Sequence, residues 1–316
     1  MPLVQNRIYI IGLGAIGKAL AVFLKLAKRD VTVIRGSVND GTRKTERICV
    51  EMADGVVHQS DIDIATLDTF SSIQGIIILA NKSFGNEQLA ISLRSKTGSS
   101  PIVLLQNGLG IEQPFINLQY PEIYRCVLFV TSQTVDPVTV RFKPVAICPI
   151  GVERGNSSHL ENIILQLNTP NFGFKSEVHI QQIIWKKAIV NCVFNSICPL
   201  LQIDNGIFHR NAEALKIARR VISECIGIAN AKGIRLRFDE VEASLLQISQ
   251  LSEGQAISTW QDIRNKRRTE LETLNPEIVR IAESLKKGDH VHETKLLGEL
   301  TKLKSDISMS TNQSTV

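Results

Sequence analysis

The stretch Gly12-Leu13-Gly14-Ala15-Ile16-Gly17 decides the fold of the first part of the chain. It follows the apolar segment Arg7–Ile11, which reads as a buried strand, and it opens the helical periodicity of Ala15–Lys28. In this context the first glycine permits a tight turn, the second lets the backbone approach a pyrophosphate, and the third allows close helix–strand packing. The start of the helix also attracts phosphate through its unbonded N–H groups. The spacing therefore predicts a dinucleotide-binding turn, with a glycine-rich turn that binds nothing as the alternative.

Strand-like and helix-like segments continue to alternate beyond this turn. Val31–Arg35, Gly75–Ala80 and Ile102–Gln106 read as buried strands, and Leu89–Ser95 reads as a helix. Such alternation predicts a doubly wound parallel sheet with right-handed crossovers. Between Tyr124 and Val152, β-rich segments punctuated by proline are expected to extend the same sheet with antiparallel strands.

After about Glu177 the pattern becomes helical almost throughout. The predicted helices are Ile180–Leu201, Asn211–Lys232, Phe238–Gln250, Thr259–Leu274 and Glu277–Leu285. This change predicts two domains, a nucleotide-binding Rossmann-like domain over 1–177 and a helical substrate and catalytic domain over 178–304. The polar, Ser/Thr-rich residues 305–316 are expected to form a flexible tail.

Composition limits the classes of protein and partner. The chain of 316 residues is 43% hydrophobic and 21% charged, which excludes disorder over most of its length. The net charge of +5 is small for a chain of this length, and with 5% aromatic residues few side chains could stack on bases. No nucleic-acid partner is therefore expected. Glycines and lysines interrupt the apolar stretch Ile8–Leu26, so neither a membrane span nor a secretory leader is expected. The six cysteines form no CxxC pair, which favours buried, reduced thiols and a cytoplasmic location.

The end of the second predicted strand bears on which dinucleotide binds. Domains that prefer NAD place an acid there, about 20 residues after the glycines, but Val33-Ile34-Arg35-Gly36 has none. A guanidinium binds a 2′-phosphate bidentately, whereas a carboxylate repels it, so we expect NADP(H) held at Arg35. Lys82 follows a predicted strand, where ligands of open α/β sheets collect, and is expected to contact the same phosphate or the substrate. Solvated cations at both positions are the alternative.

A polar stripe runs along the predicted helix Ile180–Leu201. Lys187, Asn191 and Asn195 recur every four residues, whereas Lys186 lies about 100° around the helix. An unpaired buried polar group costs about 1–3 kcal/mol, so the stripe predicts either a ligand site or a structural hydrogen-bond network. Lys187 is the candidate general acid of a nicotinamide-dependent reductase, because partial burial and a cationic cofactor ring would lower its pKa toward neutrality. The two asparagines suit substrate oxygens.

A second polar segment lies further along the chain. Ser258 and Asp262 are helical neighbours, but Glu270 lies about 120° from Ser258 on an ideal helix, so spacing does not unite the three. Taken alone, Asp262 and Glu270 read as a solvated helix face. The basic run from Arg264 to Arg268 is flanked by acids, which favours a solvated or intersubunit face.

Four segments, in this order, resemble the ketopantoate reductase (2-dehydropantoate 2-reductase) family. They are GLGAIG at 12–17, LQNGLG at Leu105–Gly110, WKKAIVNCVFN at Trp185–Asn195 and STWQDIRNKRRTELETLN at Ser258–Asn275. The resemblance implies a Rossmann domain joined to an all-helical domain of the 6-phosphogluconate dehydrogenase type, with the active site in the cleft between them. The family reaction is the NADPH-dependent reduction of 2-dehydropantoate to (R)-pantoate, in pantothenate and coenzyme A biosynthesis.

The resemblance also implies roles for single residues. Lys187 matches the catalytic acid and Glu270 its acidic partner, while Asn107 matches the residue beside the nicotinamide and the lysine, where it serves both cofactor and substrate. The positions that match substrate-binding residues are Asn191, Asn195 and Ser258. The positions that match cofactor-binding residues are Gly12, Leu13, Gly14, Ala15, Ile16, Gly17, Arg35 and Lys82.

The chain departs from the family pattern after Glu270. The family commonly continues TE-x-D-x-x-NG, whereas Thr269–Pro276 reads TELETLNP, and the proline obliges a helix to end or restart. Lys286–His292 replaces the usual proline-containing loop, and its two histidines lack a third ligand, so no metal site is expected. Two alternatives stay open, a reductase of another branched 2-oxo acid and an NADPH-sensing protein without turnover. The sequence does not determine the oligomeric state, and a homodimer is compatible with it.

Overall fold

The computed structural model describes residues 6–36 and 38–310. The chain divides into two compact units, one of residues 1–107 and 111–180 and the other of residues 108–110 and 181–316. The sequence predicted a single boundary near residue 177. One boundary cannot assign the short segment 108–110 to the second unit, so the prediction did not include this segment.

The first unit is built on one sheet. Within the described part of the chain the sheet has eleven strands in the order β11-β10-β7-β6-β5-β1-β2-β4-β3-β9-β8. The strands are β1 Ile8–Ile11, β2 Val31–Arg35, β3 Arg43–Met52, β4 Val57–Thr66, β5 Ile76–Leu79, β6 Ile102–Leu104, β7 Ile123–Cys126, β8 Val130–Thr134, β9 Thr139–Pro144, β10 Cys148–Arg154 and β11 Phe174–Ser176. Its helices are α1 Ala15–Leu26, α2 Asn86–Arg94, α3 Gln113–Asn117 and α4 Ser157–Leu167.

The centre of the sheet is parallel and covered on both faces. β1 pairs in parallel with β2 and β5, and β5 pairs in parallel with β6. Every residue of β1, β5 and β6 is buried, as expected for strands enclosed on both sides. α1 and α4 pack on one face, and α2 and α3 pack on the other. The predicted α/β Rossmann-type fold of this part is therefore confirmed.

The outer strands differ in part from expectation. β10 and β8 do add antiparallel pairs, with β7 and β9 respectively, but β7 itself is parallel to β6 and β9 is parallel to β3. The antiparallel pair of β3 and β4 was not predicted. β3 has the sequence RKTERICVEM, and its charged first half is mostly exposed. The segment therefore lacks the apolar periodicity that would predict a strand.

The second unit is helical, as predicted. Its helices are α5 Ile180–Leu201, α6 Ile207–Arg210, α7 Ala212–Ala231, α8 Phe238–Leu251, α9 Ser258–Arg264, α10 Asn275–Ser284 and α11 His292–Ser310. Among the described residues, α5 alone is long and apolar enough to cross a membrane by length and composition, and 72% of its most apolar window is buried. Mostly buried core helices of globular proteins meet the same two criteria. The six cysteines all lie in the described part of the chain and form no disulfide, and all except the half-buried Cys49 are buried.

Two helix ends in this unit correct the sequence-based expectations. The helix predicted over Thr259–Leu274 ends at Arg264, and α10 begins at Asn275 with Pro276 in its first turn, where proline is tolerated. The expected flexible tail over 305–316 is wrong for its first six residues, because α11 continues to Ser310. Ser305 is only 3% exposed, and the Ser308 hydroxyl donates to the Ser305 carbonyl. Residues 311–316 lie outside the described part of the chain.

Candidate active site

The glycine turn joins β1 to α1 and touches the loop that follows β5. Gly12 has φ +118°, and a Cβ atom there would lie 2.5 Å from the backbone nitrogen of Asn81. A Cβ on Gly17 would overlap the Gly12 carbonyl oxygen, whereas one on Gly14 would meet nothing within 4 Å. The first and third glycines are therefore required for packing, and the second faces open space. β1 and β5 flank the point where the chain order of the sheet reverses, which is where ligands of such sheets bind.

The first turn of α1 presents backbone N–H groups without a competing acid. Gly14 is the N-cap, and no acidic residue lies in the first turn. Lys18, although it follows the glycine motif directly, is only 6% exposed and donates from Nζ to the Pro137 carbonyl at 2.6 Å. Burial lowers the pKa of this ammonium, against the opposing effect of Glu46 and Asp136. The helix start thus attracts anions through peptide dipoles rather than through Lys18.

Two of the predicted cofactor residues lie at neighbouring strand ends. Arg35 is the last residue of β2, and its guanidinium lies 3.8 Å from the Asp40 carboxylate. Hydrogen bonds from the Thr42 hydroxyl and amide hold the pKa of Asp40 below its usual range, so Asp40 is ionised at neutral pH and partly offsets the charge of Arg35. Lys82 is exposed and immediately precedes a single 3₁₀ turn over Ser83–Gly85.

Two buried amides that the sequence reasoning missed join the loops after β5 and β6. The Asn86 and Gln106 side chains exchange hydrogen bonds of 2.8 Å in both directions, and Gln106 Nε2 also donates to the Asn81 carbonyl. Asn86 is 3% exposed and Gln106 5% exposed. Asn107, which follows Gln106, is exposed. The amide pair therefore sets the conformation of the loops that carry Lys82 and Asn107. The only signal in the sequence was the position of Gln106 just after a buried strand, since Asn86 is the first residue of α2.

The strand ends of the first unit suit a dinucleotide. Gly12, Gly14 and the backbone N–H groups of α1 would hold the pyrophosphate, because the space beyond Gly14 is open and the helix start carries no acid. Arg35 and Lys82 would supply positive charge beside it. Such a cofactor would bring hydride-transfer chemistry to the unit.

The predicted polar stripe exists on α5. Lys187 and Asn191 are half-buried, and Asn195, one turn further, is 3% exposed. The Asn195 amide nitrogen donates to the Asn191 carbonyl at 3.0 Å. Its Oδ1 atom is buried, and no residue in the described part of the chain donates to it. A buried acceptor without a donor is unfavourable by about 1–3 kcal/mol, so this end of the stripe is not a fully satisfied structural network.

The segment that carries Ser258, Asp262 and Glu270 differs from its expected form. Ser258 is exposed and is the first residue of α9, but α9 ends six residues before Glu270, so the two do not share a helix. The interpretation of Asp262 and Glu270 as a solvated face is wrong for Asp262, which is 8% exposed and pairs with Arg267 at 3.0 Å. Glu270 is half-buried and immediately precedes a 3₁₀ turn over Leu271–Thr273.

The glycines of the LQNGLG motif pack within the second unit. Gly108 has φ +104°, and a Cβ there would overlap the Thr273 hydroxyl. Leu109 donates its backbone N–H to the Thr273 carbonyl at 2.8 Å, and Gly110 abuts the Glu277 side chain. The motif therefore needs glycine so that the segment after Asn107 can lie against the turn that follows Glu270. No group of three potential metal ligands occurs in the ranges that the structure describes.

Comparison with known families agrees with this arrangement. The family model described as ketopantoate reductase PanE/ApbA matches residues 8–152, and the model of the C-terminal part of the same family matches residues 179–297. A 2-dehydropantoate 2-reductase from Pyrococcus horikoshii is 29% identical over 282 residues, which cover 87% of this chain and 90% of the relative.

Solved structures share the fold over nearly the whole chain. A D-mandelate dehydrogenase, solved with NADH and anilino(oxo)acetate, has a TM-score of 0.81 at 20% identity and covers 96% of this chain and 99% of its own. A dimeric ketopantoate reductase from Staphylococcus aureus has a TM-score of 0.78 at 20% identity, with the same two coverages. Because the family models span most of both units, the chain belongs to the ketopantoate reductase family and is an oxidoreductase that acts on a CH–OH group.

Proposed function

We propose that the protein reduces 2-dehydropantoate to (R)-pantoate with NADPH, in the cytoplasm, as a step of pantothenate and coenzyme A biosynthesis. The observation that carries this proposal is the stripe on α5, where an ammonium and two amides follow one another at helical spacing toward an acceptor without a donor. The family to which the chain belongs supports the same reaction.

In this proposal the residues of the second unit act on the substrate. Hydride-transfer chemistry would come from NADPH held by the first unit, and the C2 carbonyl carbon of the substrate would accept the hydride. Lys187 donates the proton that the carbonyl oxygen then needs, a contribution that general acids typically make at about 10²–10⁴-fold in rate. Glu270 orients the lysine, and Ser258 and Asn191 bind the carboxylate and neighbouring oxygens. Asn195 Oδ1 can only accept, so it suits the substrate hydroxyl as a donor.

The residues of the first unit are proposed to hold the cofactor. The turn Gly12–Gly17 binds the pyrophosphate, and Asn107 lies beside the nicotinamide. Arg35 and Lys82 are proposed to favour NADPH over NADH, because β2 ends without an acid. Asp40 limits that preference, since its carboxylate lies 3.8 Å from Arg35. In these terms residues 1–177 form the cofactor domain and residues 178–304 the catalytic domain.

A second candidate substrate is another 2-oxo acid. The departures after Glu270 motivate it, and the D-mandelate dehydrogenase neighbour uses the same fold with NADH and an aryl-substituted oxo acid analogue. The sensor without turnover, which the sequence left open, is disfavoured by membership of an enzyme family. A second copy of the chain is the proposed protein partner, in keeping with the dimeric S. aureus neighbour.

A substrate panel run with both cofactors tests the proposal. Absorbance of the reduced nicotinamide should fall fastest with NADPH and 2-dehydropantoate. 3,3-Dimethyl-2-oxobutanoate, which differs from 2-dehydropantoate only in lacking the hydroxyl, should be reduced at least tenfold less efficiently, because Asn195 would stay without a donor. Faster turnover of phenylglyoxylate with NADH would replace the proposal by the second candidate. No turnover of any 2-oxo acid would refute both.

A further inference from the structure

The 107–110 loop, which carries Asn107, is closed at its base by one side-chain amide. Gln106 stands immediately before the loop and Ile111 immediately after it. The Asn86 Nδ2 atom donates to Gln106 Oε1 at 2.8 Å and to the Ile111 carbonyl at 2.9 Å, and both hydrogen bonds are buried. Because an amide NH₂ group has two hydrogens, Asn86 uses both of them to join the two ends of the loop.

A buried ion pair holds the residue that follows this base. Arg125 lies on β7 beside Leu104, the last residue of β6, and is 2% exposed. Its guanidinium donates to the carboxylate of Glu112, which is 13% exposed. The Glu112 carbonyl accepts the backbone N–H groups of Phe115 and Ile116, so Glu112 also anchors the start of α3. The ion pair therefore fixes the point at which the chain leaves the loop.

The loop between these two ends has a flexible backbone by composition. Its sequence is Asn107-Gly108-Leu109-Gly110, and the two glycines have φ of +104° and +68°. Glycine loses more conformational freedom on ordering than any other residue. A segment of this composition therefore depends on contacts at its ends to take one conformation, and the Asn86 amide and the ion pair provide such contacts.

The ion pair is a poor means of gaining stability alone. Two charges that leave water lose hydration, and apolar residues of similar volume in place of such a pair often leave stability unchanged or raise it. Arg125 is also too buried to bind a ligand, so any effect on a bound molecule passes through Glu112. What the ion pair supplies is direction, because a guanidinium donates along lines fixed by its own plane.

We propose that Asn86, Glu112 and Arg125 are positioning residues for the proposed reaction. They hold both ends of the 107–110 loop, so that Asn107 keeps one position beside the reacting groups. The inference rests on the proposed function, in which Asn107 lies beside the nicotinamide. A displacement of about 1 Å in an active site costs on the order of 100-fold in rate. The glycine turn lies on a different loop, so loss of the ion pair should lower turnover and leave cofactor affinity almost unchanged.

Apolar replacement of the whole ion pair tests this role. The double variant Glu112→Leu/Arg125→Met removes both charges together, so neither is left buried without the other, and it should unfold at a urea concentration no lower than the unaltered chain. Its kcat with NADPH and 2-dehydropantoate should fall about tenfold or more, whereas the dissociation constant of NADPH should stay within about twofold. Gln113→Ala is the matched control, because Gln113 follows Glu112 but is exposed and donates to Asn117. It should keep full turnover.

Amide hydrogen exchange reports on the loop directly and needs no turnover. In the double variant, exchange of residues 105–112 should accelerate about tenfold or more, whereas β1 and α1 of the same unit should exchange as before. Asn86→Asp keeps the shape of the side chain but replaces its donating group with an oxygen, so it should give the same local acceleration. Glu87→Gln, at the next and exposed position of α2, is its control and should leave exchange unchanged.

The outcomes separate positioning from structural support and from the proposed chemistry. Turnover of the double variant within about twofold of the unaltered chain overturns the inference. A loss of turnover together with earlier unfolding, or with faster exchange throughout the first unit, also overturns it, because the ion pair would then act on the whole fold. If the unaltered chain reduces no 2-oxo acid, the proposed function fails. Unchanged exchange of residues 105–112 in the variants of an active enzyme refutes the positioning alone.

Discussion

The glycine turn of the first unit and the polar stripe of the second are built from different parts of the chain. The turn contributes backbone groups. Gly12 and Gly17 allow strand, loop and helix to pack in close contact, and Gly14 leaves the space beside it open. The stripe on α5 offers side chains, and it holds a buried acceptor without a donor. A site made of backbone is recognised by the spacing of its glycines, because close packing requires glycine at those positions. A site made of side chains is recognised by buried polar atoms that lack a hydrogen-bond partner.

The largest expected effect lies on the side-chain site. Lys187→Ala should lower turnover by about 10²–10⁴-fold, because the proposed proton donor is lost, while cofactor binding measured by nicotinamide fluorescence persists. Lys186→Ala is the matched control, because the Lys186 side chain projects about 100° around the same helix from Lys187 and is also half-buried. Equal losses of turnover in the two variants would show that Lys187 has no role beyond that of its neighbour Lys186.

The backbone site should separate stability from binding. Gly17→Ala should lower the free energy of unfolding by about 3 kcal/mol, because the methyl group overlaps the Gly12 carbonyl. Gly14→Ala should leave stability nearly unchanged, since nothing lies within 4 Å, yet weaken cofactor binding at least tenfold by filling the space that the phosphates need. Denaturant unfolding and cofactor titration measure the two quantities. Normal cofactor affinity in Gly14→Ala would argue against a phosphate there.

Replacement of the buried acceptor on Asn195 should change substrate preference without lowering stability. Asn195→Leu removes Oδ1 and should keep or raise the unfolding free energy, by up to about 1 kcal/mol, while the preference for a substrate with a hydroxyl falls at least tenfold. Ser196→Ala is the control, because that hydroxyl already donates to the Cys192 carbonyl at 2.6 Å. A retained preference in Asn195→Leu would mean that another group reads the hydroxyl.

The smallest effect concerns the choice of cofactor. Arg35→Ala should weaken NADPH about tenfold and NADH little, since only NADPH carries the 2′-phosphate. Asp40→Asn should strengthen NADPH a few fold, because a carboxylate 3.8 Å from the guanidinium is neutralised. Equal changes for the two cofactors in either variant would place the phosphate elsewhere.

Prediction from sequence succeeded where local pattern and packing agree. β2 was predicted at Val31–Arg35 and α5 at Ile180–Leu201, both as observed, because each is a mainly apolar element with most of its residues buried. The order of the glycines also predicted a turn of the observed shape. The roles of Arg35, Lys187 and Glu270 remain predictions, since they depend on groups that local pattern does not place.

Prediction failed where tertiary partners override the pattern. The end of α9 at Arg264 and the extension of α11 to Ser310 contradict periodicity and composition respectively. α11 buries its small polar residues against Asn275 and Glu224, which lie far away in sequence. The amides Asn86 and Gln106 look like ordinary loop residues until their mutual hydrogen bonds are seen.

Residues 108–110 make the two units inseparable by a single cut of the chain. They group with the second unit although the residues on either side of them group with the first. A fragment that starts at residue 181 would leave Thr273 without the glycine loop that covers it, and a fragment that stops at residue 180 would leave that loop without its support. Exchange of whole halves between relatives would therefore have to move this tripeptide together with the helices.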